Sequence, residues 1–148
     1  MNISDTMTEK NIFIGIKSNT KREFMQDLSA KIAEAINLDS RTVFDTFMER
    51  ENLGSTGFGG GTALPHGRFV GLNKVQAFFI KPSAPLDFDA IDNKPVDLVF
   101  ALLSPEDNGA DHLTALAKLS RILKDETICN KLRKIDRPVE LFALLNEG

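Results

Sequence analysis

The chain has 148 residues, of which 42% are hydrophobic and 26% are charged, and its formal net charge is -3 at pH 7. This composition predicts one compact globular domain, and the negative charge argues against the concentrated basic surface that nucleic-acid binding needs. No apolar run approaches the roughly 20 residues that span a bilayer, and residues 1–10 lack the pattern of a signal peptide. The single cysteine, Cys129, cannot form an internal disulfide, so we expect a reducing, cytoplasmic compartment.

Hydrophobic periodicity and capping residues divide the chain into helices and strands. Between Lys21 and Ile36 apolar residues recur every four positions, as on one face of an amphipathic helix, whereas Val96–Leu103 is almost continuously apolar, as in a strand covered on both faces. We expect residues 1–10 to be flexible and residues 11–148 to form a single α/β domain with a central mixed sheet flanked by helices. The predicted elements are a strand at Asn11–Ile16, helices at Lys21–Ile36 and from Asp39 or Ser40 to Asn52–Gly54, strands at Lys74–Ile80 and Val96–Leu103, and three helices that begin at Asp107 or Asn108, after Asp125 and at Pro138.

The segment GSTGFGGGTALPHGR, from Gly54 to Arg68, holds six of the ten glycines and one of the two histidines. It matches neither the P-loop, which needs Lys where Gly60 stands, nor the dinucleotide-binding fingerprint. Successive N–H groups in a glycine-rich turn can nevertheless bind an anion, and a neutral imidazole is a nucleophile toward phosphorus. We therefore predict that His66 accepts a phosphoryl group; the alternative is a structural histidine. The predicted phosphate-binding loop consists of Ser55, Thr56, Gly57, Gly59, Gly60 and Gly61.

The run ERENLGSTGFGGGTALPHG, from Glu49 to Gly67, resembles the signature of enzyme IIA domains of the fructose/mannitol class of the bacterial phosphotransferase system. FDAIDNKPVDLVFALLSP (Phe88–Pro105), HLTALAKLSRIL and DETICNKLR extend the similarity over nearly the whole chain and favour the stand-alone, nitrogen regulatory branch. The resemblance implies the fold of this class and a phosphoryl carrier that is phosphorylated on His66, through Nε2. It also implies that Arg50 faces the site and that His112 is the second histidine of the site.

The resemblance further implies the partners of such a carrier. An HPr-like phosphocarrier of the nitrogen type would supply the phosphoryl group, which enzyme I takes from phosphoenolpyruvate. Regulatory targets, such as potassium-transport regulators or sensor kinases, would then respond to the phosphorylation state. Two alternatives remain: a IIA subunit for fructose or mannitol uptake that passes phosphate to a separate IIB protein, and a protein-binding module that is never phosphorylated. Neither nucleic acid nor direct insertion into a membrane is expected.

Other candidate residues have simpler interpretations. Arg50 could instead form an ion pair on the helix surface with Glu49 or Glu51, and His112 could point into solvent rather than orient the ring of His66. Cys129 has no glycine-rich loop of its own and is predicted to be a buried helix thiol rather than a phosphorylated cysteine. Basic residues in the last three helices alternate with acidic and apolar ones and predict a solvated face; they are Lys118, Arg121, Lys124, Lys131, Arg133, Lys134 and Arg137.

No pattern indicates a metal site. His66, His112 and Cys129 lack the paired spacing of structural zinc ligands. Three aspartates in the proline-rich segment between the two central strands lack the glycine of a calcium-binding EF-hand loop. We interpret that segment as a turn-rich excursion or an edge hairpin; its aspartates are Asp87, Asp89 and Asp92. The chain is therefore predicted to use no metal and no cofactor.

Overall fold

A mixed β-sheet separates two layers of helices in the computed structural model, which describes residues 1–147. Within these residues the six strands are β1 (Ile12–Ile16), β2 (Gly57–Gly59), β3 (Thr62–Ala63), β4 (His66–Phe69), β5 (Gln76–Pro82) and β6 (Leu98–Pro105). The α-helices are α1 (Lys21–Ile36), α2 (Ser40–Asn52), α3 (Gly109–Lys124), α4 (Glu126–Arg133) and α5 (Pro138–Glu147), and short 3-10 turns span Ile3–Asp5 and Glu9–Asn11. The predicted α/β fold, a central mixed sheet flanked by helices, is confirmed.

Capping side chains explain where the helices begin. The side chains of Asp39, Asn108 and Asp125 each accept a hydrogen bond from the backbone N–H three residues later, at 3.0, 3.2 and 3.1 Å, before α2, α3 and α4. Pro138 is the first residue of α5, where its missing N–H removes no helical hydrogen bond. The predicted helices are therefore confirmed. No helix of residues 1–147 has the length and apolar content that crossing a membrane requires.

The central strand of the sheet is β6, which is buried along its whole length. On one side it pairs antiparallel with β5, and β5 pairs in parallel with β1. On the other side it pairs in parallel with two short strands in succession: β3 lies opposite Leu98–Val99, and β4 lies opposite Leu102–Pro105. The glycine-rich segment was predicted to be a loop, yet it supplies β2, β3 and β4, because the second edge of β6 needs backbone partners.

Each face of the sheet packs against its own hydrophobic core. Successive side chains of a strand point to opposite faces, so Phe78 joins the core beneath α1 and α2, while Phe79 joins the core beneath α3, α4 and α5. Residues 1–10 were predicted to be flexible, but Ile3 and Met7 are buried in the second core. The carbonyl of Thr6 also accepts a hydrogen bond from the N–H of Ala77 at 2.9 Å. The N-terminal segment is packed because its few apolar side chains cover the end of the sheet.

Candidate functional site

His66 is the first residue of β4, and its ring is held by its own chain. Its Nδ1 lies 2.8 Å from the carbonyl oxygen of Leu64. A carbonyl only accepts hydrogen bonds, so Nδ1 carries the proton and donates it. In the neutral ring, Nε2 then carries the free lone pair, and Nε2 has no hydrogen-bond partner among residues 1–147. The half-buried ring therefore presents one nitrogen as a nucleophile.

The surroundings of His66 favour its neutral form. Burial is the main cause that lowers the pKa of His66, because it disfavours the charged ring, and the guanidinium of Arg50 lowers this pKa further. The hydrogen bond to Leu64 and the carboxylate of Glu51 act in the opposite direction. The net effect is that the pKa of His66 lies below the ordinary histidine value of 6.5. At neutral pH the lone pair of Nε2 is therefore available.

A close helix–strand contact brings Arg50 to this ring. A Cβ atom on Gly67 would lie 2.8 Å from Cγ2 of Thr46, so only glycine lets α2 approach β4 this closely. Arg50 follows Thr46 by one helical turn and lies on the same face of α2. Its Nη1 donates to the carbonyl of Gly54 at 2.8 Å. In the described part of the chain Arg50 forms no ion pair with Glu49 or Glu51, which excludes the surface ion pair considered from the sequence.

The structure also brings His112 to His66. The ring centroids lie 5.9 Å apart with the planes at 45°, and His112 is only 7% exposed, in the first turn of α3. Its Nδ1 lies 2.6 Å from Oγ of Ser104. Burial, and then the positive charge of Arg68 and the neighbouring His66, lower the pKa of His112. The alternative in which His112 points into solvent is therefore excluded.

Arg68 is a site residue that sequence reasoning missed. It lies two residues after His66 in β4, so both side chains are on the same face of the strand. Its Nη2 would lie 3.3 Å from a Cβ on Gly109, which places the guanidinium beside the start of α3. Arg68 is exposed and has no hydrogen bond or ion pair within residues 1–147. The spacing His-x-Arg would have indicated this residue once His66–Phe69 was recognised as a strand.

Glu51 is a second residue that the sequence did not single out. Its buried contacts connect α2 to the segment before His66. Its carboxylate accepts from the backbone N–H of Thr56 at 3.1 Å and from the Thr56 hydroxyl, and it pairs with Nζ of Lys21 at 2.9 Å. The carbonyl of Thr56 in turn accepts from the N–H of Leu64 at 3.1 Å. Glu51 thus positions the backbone whose Leu64 carbonyl holds His66.

The residues of the predicted phosphate-binding loop make internal structural contacts. Residues Gly57–Ala63 form a hairpin of β2 and β3, and three of the six predicted amides already donate inside the protein: Thr56 to Glu51, Gly57 to Oγ of Ser55 at 3.0 Å, and Gly60 to Asp92 at 3.0 Å. The positive φ angles of Gly59, Gly60 and Gly61 serve the turn.

The hairpin tip also lies away from His66. Thr62 is opposite Leu98 and His66 is opposite Leu102, a separation of four residues, or about 13 Å, along β6. The prediction that Gly59, Gly60 and Gly61 hold the phosphoryl group is not supported by this geometry.

The remaining candidates lie outside the site. Cys129 is 2% exposed, and burial raises the pKa of its thiol, which confirms the predicted buried helix thiol. Arg133 was predicted on a solvated face, but it is half-buried: its Nε donates to Asp97 at 2.8 Å and its Nη2 donates to the Gly60 carbonyl at 2.7 Å. No group of three or more His, Cys, Asp or Glu side chains in residues 1–147 is arranged to hold a metal ion.

Known proteins share this fold and much of this sequence. The family model for the phosphoenolpyruvate-dependent sugar phosphotransferase system, EIIA 2, matches residues 5–148. A nitrogen regulatory protein of Bradyrhizobium diazoefficiens is 44% identical over 98% of this chain and 95% of its own length.

Two solved structures have the same architecture. Nitrogen regulatory protein IIA-Ntr from Neisseria meningitidis has a TM-score of 0.90 with 33% identity and covers 97% of this chain and 98% of its own. Enzyme IIA mannitol of Escherichia coli, solved in complex with phosphorylated enzyme IIB mannitol, has a TM-score of 0.79 with 22% identity and covers 97% of this chain and 99% of its own. The chain therefore belongs to the EIIA 2 family of the phosphotransferase system and is similar to its nitrogen regulatory members.

Proposed function

We propose that this protein is a phosphoryl carrier that accepts a phosphoryl group on Nε2 of His66 and regulates other proteins through its phosphorylation state. The observation that carries the proposal is the anchoring of Nδ1 by the Leu64 carbonyl, which leaves the lone pair on Nε2. Membership of the EIIA 2 family supports a role in phosphoryl transfer. The nitrogen regulatory relatives support a regulatory role rather than sugar uptake.

The transfer is a displacement at phosphorus between two imidazoles. Nε2 of His66 attacks the phosphoryl group of a phosphohistidine on an HPr-like donor of the nitrogen type, in line with the breaking bond. As the new N–P bond forms, the electron pair of the old one returns to the donor ring. No general base is needed, because Nε2 carries no proton. Both nitrogens of the phosphorylated ring are then substituted, and the Leu64 carbonyl stabilises the resulting positive charge through the Nδ1–H.

Two guanidinium groups and a neutral imidazole surround the incoming phosphoryl group in this proposal. Catalysis of phosphoryl transfer consists mainly of positioning and of stabilising the charge on three oxygens. Arg50 and Arg68 supply positive charge from α2 and β4, and His112 supplies a ring nitrogen from α3. After burial, which is the main cause, the charge of Arg50 lowers the pKa of His66 and the charge of Arg68 lowers the pKa of His112.

Phosphorylation would change the charge of a surface that another protein can contact. The phosphoryl group adds about two negative charges beside Arg68. Two exposed apolar side chains are close in sequence to site residues: Leu53, 85% exposed, follows α2, and Leu113, 64% exposed, follows His112. Such a surface suits regulatory targets such as potassium-transport regulators or sensor kinases. We expect the carrier to act in the cytoplasm, where enzyme I would take the phosphoryl group from phosphoenolpyruvate.

A second candidate function is transfer of the phosphoryl group to a separate IIB protein in fructose or mannitol uptake. It is favoured by the likeness to enzyme IIA mannitol, which was solved with its phosphorylated IIB partner. Reconstitution with fructose- or mannitol-type IIB proteins separates the two functions. Rapid loss of phosphate from His66 to a IIB protein would favour sugar uptake over regulation.

The deciding experiment incubates the protein with phosphoenolpyruvate, enzyme I and the HPr-like donor, and measures its intact mass. We expect the mass of one phosphoryl group on the wild type and no increase for His66→Ala. The melting temperature of His66→Ala should be close to that of the wild type, because a half-buried ring at the sheet edge contributes little packing. A wild type that gains no mass would refute the carrier and leave a protein-binding module.

A further inference from the structure

The side-chain hydroxyl of Ser104 forms a buried hydrogen bond with the ring of His112. Ser104 lies in β6 opposite Arg68 and has no exposed surface. Its Oγ lies 2.6 Å from Nδ1 of His112. Among residues 1–147 this hydroxyl is the one side-chain hydrogen-bond partner of His112, and the Leu64 carbonyl holds His66 in a comparable way.

The hydrogen-bond inventory of Ser104 decides which nitrogen of His112 carries the proton. A serine hydroxyl has one hydrogen to donate and lone pairs that accept. Its sole hydrogen-bond partner within residues 1–147 is Nδ1 of His112. If Nδ1–H donated to Oγ, the fully buried hydroxyl hydrogen would have no acceptor, which is costly. The hydroxyl therefore donates to Nδ1, and the proton of the neutral His112 ring lies on Nε2.

We propose that Ser104 is a positioning residue that fixes His112 in the Nε2–H form, so that the ring offers a neutral N–H donor to the phosphoryl group on His66. This inference rests on the proposed function. The two rings, 5.9 Å apart, then have opposite tautomers: His66 offers a bare Nε2 and His112 offers a protonated one. One ring can attack phosphorus while the other donates to a phosphoryl oxygen.

A neutral N–H donor on His112 suits a carrier that must also release the phosphoryl group. A hydrogen bond from a charged donor to a phosphoryl oxygen is roughly twice as strong as one between neutral groups. An imidazolium at position 112 would therefore hold the phosphoryl group more tightly and oppose its departure. Burial and the charge of Arg68 disfavour that cation, and Ser104 assigns the remaining proton to the nitrogen that is free to donate.

The test reads the tautomers directly by NMR of the unphosphorylated, full-length protein with ¹⁵N-labelled histidine. Only two histidines are present, so His66→Ala assigns the four ring nitrogens. At a pH above both ring pKa values, we expect a protonated Nε2 on His112 and a protonated Nδ1 on His66. In Ser104→Ala the His112 signals should shift toward a mixture of both tautomers. A wild-type His112 protonated on Nδ1, or a spectrum unaffected by Ser104→Ala, would overturn the inference.

Transfer rates supply the second measurement. Ser104→Ala should slow phosphorylation of His66 by about 3- to 10-fold, the effect of one neutral hydrogen bond, and His112→Ala sets the upper limit of that loss. Ser104→Thr, which keeps the hydroxyl, should restore both the spectrum and the rate. A loss in Ser104→Ala as large as that caused by His66→Ala would contradict a positioning role.

The matched control is Ser29→Ala. Ser29 is a serine of α1 that is 1% exposed and whose Oγ has no hydrogen-bond partner in the described chain. Removal of the Ser29 hydroxyl should change neither the His112 signals nor the transfer rate. A change equal to that of Ser104→Ala would attribute the effect of Ser104→Ala to loosened packing.

The outcomes for the carrier and for the tautomers are distinguishable. A wild type that is not phosphorylated would refute the carrier but not the tautomers. Phosphorylation of His66 with His112 protonated on Nδ1 would refute the Ser104 inference alone.

Discussion

The hairpin Gly57–Ala63 and strand β4 are neighbours in the chain, yet they use their polar groups in opposite ways. At the hairpin tip, the N–H of Gly60 donates to Asp92 and its carbonyl accepts from Arg133. On β4, Nε2 of His66 and the guanidinium of Arg68 have no hydrogen-bond partner among residues 1–147. Polar groups inside folded proteins are mostly paired, so the half-buried Nε2 of His66 beside an exposed, unpaired guanidinium indicates where an anion can bind.

This difference separates the two roles of the glycine-rich segment. The glycines of the hairpin allow a tight turn and close packing, whereas the candidate site residues His66 and Arg68 follow the last of these glycines. Substitutions in the hairpin should therefore act on stability, and substitutions on and around β4 should act on transfer.

The largest effect is expected for Arg50→Ala. The loss of one preorganised positive group beside the reacting phosphoryl should slow transfer to His66 by about 10²–10³-fold. Initial rates of phosphorylation with limiting HPr-like donor measure it. Arg41→Ala is the matched control, because Arg41 lies on the same helix, is exposed and pairs with Asp45; its rate should be unchanged. Equal transfer rates for Arg50→Ala and the wild type would show that Arg50 is an ordinary surface residue of α2 with no role in transfer.

Arg68→Ala and Arg133→Ala compare an unpaired guanidinium of the site with a paired one of the hairpin. Removing Arg68 should slow transfer by about 10- to 100-fold, since it removes hydrogen bonds between a cation and the phosphoryl oxygens. Removing Arg133 should leave the transfer rate unchanged and lower the free energy of unfolding, because Asp97 and Gly60 lose their partner. If Arg133→Ala slowed transfer as much as Arg68→Ala, the division between hairpin and strand would be wrong.

Two glycines of the hairpin should differ in their effect on stability. A Cβ on Gly61 would lie 2.7 Å from Nη2 of Arg133 and 2.9 Å from Oδ1 of Asp97, whereas a Cβ on Gly60 would meet no atom within 4 Å. Both residues have positive φ. Gly61→Ala should lower the free energy of unfolding by about 2–4 kcal/mol, and Gly60→Ala by about 1 kcal/mol. Urea denaturation measures both, and equal losses would show that the clash at Gly61 is relieved.

The smallest effect concerns the pKa of His66. Because burial and Arg50 lower this pKa, the midpoint of the ring titration should lie below 6.5 and the neutral form should predominate at pH 6.5. The unfolded chain then binds more protons than the folded one, so the free energy of unfolding should fall as the pH falls from 6.5 toward the lowered pKa. Arg50→Ala should raise the pKa of His66. NMR titration of the ring measures both shifts, and a wild-type midpoint at or above 6.5 would contradict them.

The helices could be predicted because their signals are local. The apolar spacing between Lys21 and Ile36 and the caps Asp39, Asn108 and Asp125 lie within or next to the helices that they specify. The continuous apolar run around β6 likewise indicated a buried central strand, although the strand begins at Leu98 rather than Val96.

Strand β4 and Arg68 could not be predicted in the same way. His66–Phe69 contains a glycine, follows a proline and has no alternation of apolar and polar residues; it is a strand because β6 supplies its hydrogen bonds from more than thirty residues away. Without that pairing, nothing in the sequence indicated that Arg68 shares a face with His66. The same holds for Ser104, whose contact with His112 depends on how α3 packs over β6.

The anchor of His66 lies only two residues from the ring, and this short range has an evolutionary consequence. The acceptor is a backbone carbonyl two residues before the imidazole, so the choice of outward nitrogen does not depend on the identity of the side chain at position 64. Substitutions of the charged side chains around the ring should therefore alter how strongly a ligand binds without changing which nitrogen faces it. A new partner could be accommodated by exchanging those side chains while the backbone anchor stays the same.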